Sequence, residues 1–162
     1  MTMTPSDRMR VTPYDRMRVY VAAPYAMSGV VRSFHQRLRE DGFGVTSSWA
    51  ETPSAADSVP EDLPSMSRSQ HEEISTENDE GVASAHVVVA LCYRGLGKEM
   101  FCECALARLL GRPIVWVADD LQILPLSAFR RGSVRVNSVD LAVPVLASIR
   151  AGDLPELRVG RW

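Results

Sequence analysis

Apolar positions along this chain alternate between two periods. Short runs rich in β-branched residues read as strands: Met17 to Ala23, Gly44 to Trp49, His86 to Cys92, Pro113 to Val117 and Ser133 to Val136. Between them lie segments of helical period: Val30 to Asp41, Gln70 to Ala85, Lys98 to Leu110 and Val139 to Ile149. The first of these is amphipathic. Val30, Val31, Phe34 and Leu38 form its apolar side, Arg32, Arg37 and Arg39 its polar side, and Gly42 caps it. The second is polar throughout, with Ile74 and Val82 turned inward. In the last, Pro144 is unfavourable unless the helix begins there. Strands that alternate with helices imply a parallel sheet covered on both sides. The expected fold is α/β: a doubly wound, flavodoxin- or Rossmann-like domain with five strands in the order 2-1-3-4-5. Such sheets bind ligands at the carboxyl ends of their strands, here near the switch point between strands one and three.

The unit from His86 to Val117 organises the rest. Val87-Val88-Val89-Ala90-Leu91 is apolar at every position, as a strand buried on both faces requires. Arg94-Gly95-Leu96-Gly97-Lys98 follows, a loop whose glycines allow close approach to a ligand and whose backbone N–H groups and two cations suit an anion. The helix after it is mostly Met, Phe, Cys, Ala and Leu, yet contains Glu103. A carboxylate on a largely buried helix is costly unless it is used or paired. Glu99, one turn earlier, shares its face, and both lie near the positive end of the helix dipole. The alternative is a partly exposed Glu103 paired with Arg108 or another cation. The loop does not satisfy the P-loop pattern: Cys92 stands at the earlier glycine and Glu99 at the magnesium-binding Ser/Thr. Nor is there a G-x-G-x-x-G run for a dinucleotide.

Length and composition narrow the function classes. A chain of 162 residues fits one domain with a substantial core. Residues 17–150 are read as that domain. Residues 1–16 are a flexible leader, because Thr4-Pro5-Ser6-Asp7-Arg8-Met9-Arg10-Val11 recurs almost unchanged as Thr12 to Val19. Residues 51–69, rich in Ser, Pro, Ala and acids, form a long loop expected to be mobile, and residues 151–162 a tail. The net charge of −2 gives no electrostatic case for nucleic acid, and no apolar run is long enough to span a membrane. The amino terminus lacks the apolar core of a signal peptide. Cys92, Cys102 and Cys104 show neither a disulfide framework nor a metal-ligand spacing, so the expected compartment is reducing and cytoplasmic, without metal or cofactor.

Three stretches resemble the nucleoside 2-deoxyribosyltransferase-like N-glycosidases, a family of deoxyribosyltransferases and nucleoside 5′-monophosphate N-hydrolases. Val19-Tyr20-Val21-Ala22-Ala23-Pro24-Tyr25 resembles the family's first strand and loop. Asn78-Asp79-Glu80-Gly81-Val82 resembles the helix that supplies an active-site aspartate. Glu103-Cys104-Ala105-Leu106-Ala107, with Gly111-Arg112-Pro113-Ile114 after it, resembles the Glu-x-Gly-x-Ala helix and its Gly-Lys-Pro turn. The resemblance covers roughly residues 17–137. It implies that Glu103 is the nucleophile, that Tyr20 orients it and that an aspartate protonates the departing base, with Asp79 the candidate. Counted back from the strand, Asn78 falls on the family's aspartate position. His71 is an alternative donor. Ala23, Tyr25, Gly29 and Asn78 would line the substrate site.

Two reactions are compatible with this resemblance. The transferases carry an aspartate where this chain has Gly97, and the Leu157 to Trp162 tail does not match their carboxyl-terminal segment. Leu126-Ser127-Ala128-Phe129-Arg130-Arg131-Gly132 instead resembles the monophosphate hydrolases, in which this serine reaches a substrate phosphate across a dimer interface. The resemblance therefore implies a homodimer acting on a small-molecule nucleotide or nucleoside, with Ser127, Arg94, Gly95, Gly97 and Lys98 holding a 5′-phosphate. The first expectation is hydrolysis of the N-glycosidic bond of a (deoxy)nucleoside 5′-monophosphate. The second is a nucleoside 2-deoxyribosyltransferase, and the third a nucleotide-binding module without catalysis.

Overall fold

The computed structural model describes residues 16–51, 67–93, 97–120, 123–125, 128 and 131–153. The leader, most of the 51–69 loop, Arg94 to Leu96, Ser127 and the tail beyond Asp153 lie outside the described residues.

The described residues form five strands: β1 (Arg18–Ala22), β2 (Gly44–Val45), β3 (Val87–Leu91), β4 (Ile114–Val117) and β5 (Ser133–Val136). They form one parallel sheet in the order β2-β1-β3-β4-β5, as expected. The helices are α1 (Ser28–Glu40), α2 (Arg68–Ser84), α3 (Lys98–Leu109) and α4 (Val139–Arg150). Ser67 starts α2 with a capping box: its hydroxyl accepts the Gln70 N–H, and the Gln70 side chain accepts the Ser67 N–H. Gly42 and Gly111 take positive φ just after α1 and α3, ending both helices.

β1 and β3 are the centre of the molecule. All five residues of β3 are buried, and β1 is buried from Val19 onward. Side chains alternate across a strand, so Val19 and Val21 face one side of the sheet while Tyr20 and Ala22 face the other. α2 and α3 pack together on the Tyr20 side. α1 and α4 are joined by the Arg37–Asp140 ion pair, and Arg150 of α4 donates to Asp41 O at the end of α1, its guanidinium 4.3 Å from the Phe43 ring centre.

The end of the second strand departs from expectation. β2 ends at Val45 rather than Trp49. Beyond Thr46, whose N–H still reaches Val19 O, side chains rather than backbone bind the edge of β1. α4 begins at Val139, as expected, and runs through Pro144. Proline lacks the N–H that would bond the carbonyl four residues earlier, and the packing of Ala142, Leu146 and Ile149 into the core carries the helix across that gap. His86 extends the sheet edge: its N–H donates to Arg18 O and its Nδ1 accepts the Arg18 N–H, both at 2.9 Å.

Candidate active site

A cavity of about 670 Å³ opens at the carboxyl ends of β1 and β3. Its walls come from four parts of the chain. The turn after β1 supplies Ala23, Pro24, Tyr25 and Ala26, and the segment after β2 supplies Trp49. α2 presents His71, Ile74, Ser75 and Asn78, whose spacing of three, four and seven residues places them on one helix face. The start of α3 contributes Gly97, Lys98, Glu99, Met100 and Glu103. Of the two residues expected to turn inward, Val82 is buried in the core while Ile74 lines this cavity beside polar neighbours on the same face.

Glu103 sits in the cavity wall with only 7% of its surface exposed. Its partner is not Arg108. The Tyr20 hydroxyl, itself fully buried, donates to Glu103 Oε1 at 2.6 Å. Burial pushes the Glu103 carboxyl up to about 7, against the hydrogen bond from Tyr20, which favours the ionised form; the charges of Glu99 and Asp79 push it further up. Burial also raises the Tyr20 phenol far above its ordinary range, and the negative charge of Glu103 adds to this. Tyr20 is therefore a fixed donor. Glu103 is a carboxylate that changes charge near neutrality, inside a cavity, oriented by a short hydrogen bond. Such a group can act as a nucleophile or a proton carrier.

α2 reaches Tyr20 because residue 81 is glycine. A Cβ there would meet Thr46 O and the Tyr20 ring at 2.8 Å, both below van der Waals contact. Thr46 Oγ1 donates to Gly81 O at 2.8 Å and fixes the same approach.

The residues singled out from the sequence separate into three groups. Glu103, Ala23, Tyr25, Asn78, Gly97 and Lys98 line the cavity, and Tyr20 touches it through Glu103. Asp79 is exposed and Gly29 lies in the first turn of α1; neither is in the wall, although the charge of Asp79 is felt by both Glu103 and Tyr20. Arg94, Gly95 and Ser127 lie outside the described residues. Trp49 is a site residue that the sequence reading misses. Its ring stands edge-on to Tyr25, with centroids 5.3 Å apart and planes at 65°, and both rings border the cavity. An aromatic just past a strand at the ligand-binding edge of the sheet is the available signal. Among the described residues no cluster of His, Cys, Asp or Glu could hold a metal ion, and no helix is long and apolar enough to cross a membrane.

Comparison with solved structures identifies the fold. A 2-deoxyribosyltransferase from Bacillus psychrosaccharolyticus superposes with a TM-score of 0.60 at 16% identity, over 77% of this chain and 89% of that one. The CMP N-glycosidase BcmB of Clostridium botulinum superposes with a TM-score of 0.52 at 15% identity, over 82% of this chain and 98% of that one. The chain shares their fold. It is the fold that the sequence resemblance implies. No family model and no curated protein sequence matches the chain.

Proposed function

We propose that this protein cleaves the N-glycosidic bond of a nucleoside 5′-monophosphate, releasing free base and a sugar 5-phosphate. The observation that carries the reading is the buried Glu103 carboxyl, hydrogen-bonded by Tyr20 and open to a nucleotide-sized cavity. The Glu103 carboxylate attacks C1′, and the C1′–N bond breaks with its electron pair leaving on the base. A proton carried on the Asp79 carboxyl, one residue from Asn78 in the cavity wall, neutralises the departing nitrogen. Water then attacks C1′ of the glycosyl ester, giving one proton back to Asp79 as the C1′–O bond to Glu103 breaks; this restores the Glu103 carboxylate and leaves the sugar its anomeric hydroxyl. The oxocarbenium character of both steps is stabilised by the adjacent carboxylate. Lys98, with Arg94, Gly95, Gly97 and Ser127, is assigned to the phosphate; the Ser127 contact comes from a second copy of the chain in a homodimer.

A second reading is base exchange, in which another base takes the place of water. One observation favours it. The described wall carries two carboxylates, Glu99 and Glu103, against one lysine, Lys98, a balance less suited to a dianionic phosphate than to a neutral nucleoside.

The two are separated by chromatography of the protein incubated with nucleosides and their 5′-monophosphates, with and without a competing base. Free base from monophosphates alone supports the hydrolase. A new nucleoside formed only when the second base is present supports transfer. No reaction with any member of the panel overturns both.

A further inference from the structure

Outside the cavity, the densest polar chemistry among the described residues runs from α1 to the segment after β2. Glu51 Oε1 accepts from Arg39 Nη2 at 2.5 Å and lies 2.9 Å from His35 Nδ1. His35 Nε2 lies 2.8 Å from Ser47 Oγ, and Ser47 Oγ accepts the Val21 N–H at 3.0 Å. His35 and Ser47 are both buried. One proton arrangement satisfies every member: His35 Nδ1–H donates to Glu51, and Ser47 O–H donates to His35 Nε2. This assignment follows from the hydrogen-bond network.

A carboxylate, a histidine and a serine in sequence resemble a hydrolytic triad. Two features exclude that role. Ser47 is 3% exposed and is not part of the cavity wall, so no substrate carbonyl reaches it. Its oxygen also already holds a backbone N–H.

The chain of contacts instead replaces strand pairing. β2 is two residues long, and its ladder with β1 stops there. The next groups on the edge of β1 are the N–H and C=O of Val21. Ser47 Oγ takes the N–H, and Trp49 Nε1 donates to the C=O at 3.0 Å. Residues 46–51 thus leave the sheet but stay latched to it through side chains, with Trp49 brought beside Tyr25 in the cavity wall.

We propose that His35 is a positioning residue for the cavity: by bridging Glu51 and Ser47 it holds residues 46–51 against β1 and so sets the Trp49–Tyr25 wall against which the substrate's planar base rests. The base enters from the proposed N-glycosidase reading; the latch stands without it. Burial, with a smaller contribution from the Arg39 charge, lowers the His35 pKa, while Glu51 opposes the shift; a neutral ring with one donor and one acceptor is what the latch requires.

The test uses full-length protein labelled with 5-fluorotryptophan. Trp49, Trp116 and Trp162 give three ¹⁹F signals, and Trp49→Phe assigns the first. His35→Leu should shift and broaden the Trp49 signal and leave that of Trp116 in place. With the substrate found in the panel, it should raise KM about tenfold and leave kcat within about threefold, as expected for lost binding of ground and transition states alike. Glu51→Gln, which keeps an acceptor for Nδ1–H, should leave the Trp49 signal at its wild-type position. An unmoved Trp49 signal in His35→Leu, or a loss confined to kcat, overturns the proposal. Where His35→Leu loses the Trp116 signal as well, Glu51→Ala decides: its side chain is 38% exposed, and a shifted Trp49 signal supports the latch while an unmoved one overturns it. Absence of turnover in the wild type overturns the glycosidase reading alone, because the ¹⁹F shift still reads the latch.

Discussion

Tyr20 and Glu103 are 83 residues apart in the chain and 2.6 Å apart in the fold. One comes from β1 and the other from the buried face of α3, so the bond spans the sheet–helix interface. Among the described residues it is the contact that favours the ionised carboxylate against burial and two neighbouring negative charges.

That balance has a pH consequence. A nucleophilic Glu103 must be ionised, so kcat/KM should rise with pH through about 7 and level off above it. Tyr20→Phe removes this favourable influence, so the rising limb should move to higher pH. A hydrogen bond to a charged group contributes about 1.5–3 kcal/mol, so activity at pH 7 should fall about tenfold or more. A pH–rate profile of the two proteins checks this. A limb that stays in place would remove Tyr20 from control of Glu103.

The same carboxyl should make the site a source of instability. Its pKa in the folded protein, about 7, lies above its ordinary value of 4.5. The folded state then binds the proton more tightly than the unfolded state. The stability linked to that proton is complete below pH 4.5 and is lost as pH rises through 7. Glu103→Gln keeps an acceptor for Tyr20 and has no proton to lose. It should therefore melt like the wild type near pH 4.5 and be more stable above pH 7, by roughly 1–3 kcal/mol. Thermal unfolding at both pH values measures the difference. Equal stability at about pH 8 would mean that ionising Glu103 costs the fold nothing.

Most of the scaffold is legible in the sequence. Short apolar runs between helical periods leave few topologies for a chain of this length, and the strand order follows from right-handed crossovers. Glu103 stands out because a carboxylate on an apolar helix needs a partner, and the family resemblance points to Tyr20. The end of β2 is hidden for a physical reason. Thr46 to Trp49 has a strand's composition, but its last bonds to β1 come from Ser47 and Trp49 side chains, which local periodicity does not encode. The phase of α2 is equally hidden. Asn78 and Asp79 are adjacent in sequence, and which of them turns to the cavity is set by how α2 packs, the approach of Gly81 to Tyr20 included. The long-range link between Trp49 and Tyr25 leaves no trace in spacing.

Gly81 is accordingly a sensitive position although it makes no chemistry. In Gly81→Ala the new methyl meets Thr46 O and the Tyr20 ring at 2.8 Å, so either α2 or Tyr20 must move. Overpacking of this kind costs about 1–3 kcal/mol. A displaced Tyr20 would also lose its aim at Glu103, so kcat should drop with the melting temperature and the activity limb should shift upward as in Tyr20→Phe. Wild-type stability and pH profile in Gly81→Ala would show that the contact between α2 and β1 is loose.

Asp79 offers the sharpest division between charge and chemistry. Its negative charge raises the Glu103 pKa, so Asp79→Asn should shift the rising limb of activity to lower pH whatever else it does. If Asp79 also protonates the departing base, the plateau above that limb should fall by about 10²-fold, the usual contribution of a general acid. The loss should be smallest for substrates whose base is already a good leaving group, since these need the proton least. A lowered limb with an undiminished plateau would separate the two effects and remove Asp79 from the chemistry. The acid would then be sought on the face of α2 that lines the cavity, where His71 is the titratable side chain. The matching measurement is the plateau rate of His71→Asn: a fall there, with Asp79→Asn unaffected, would transfer the proton to His71.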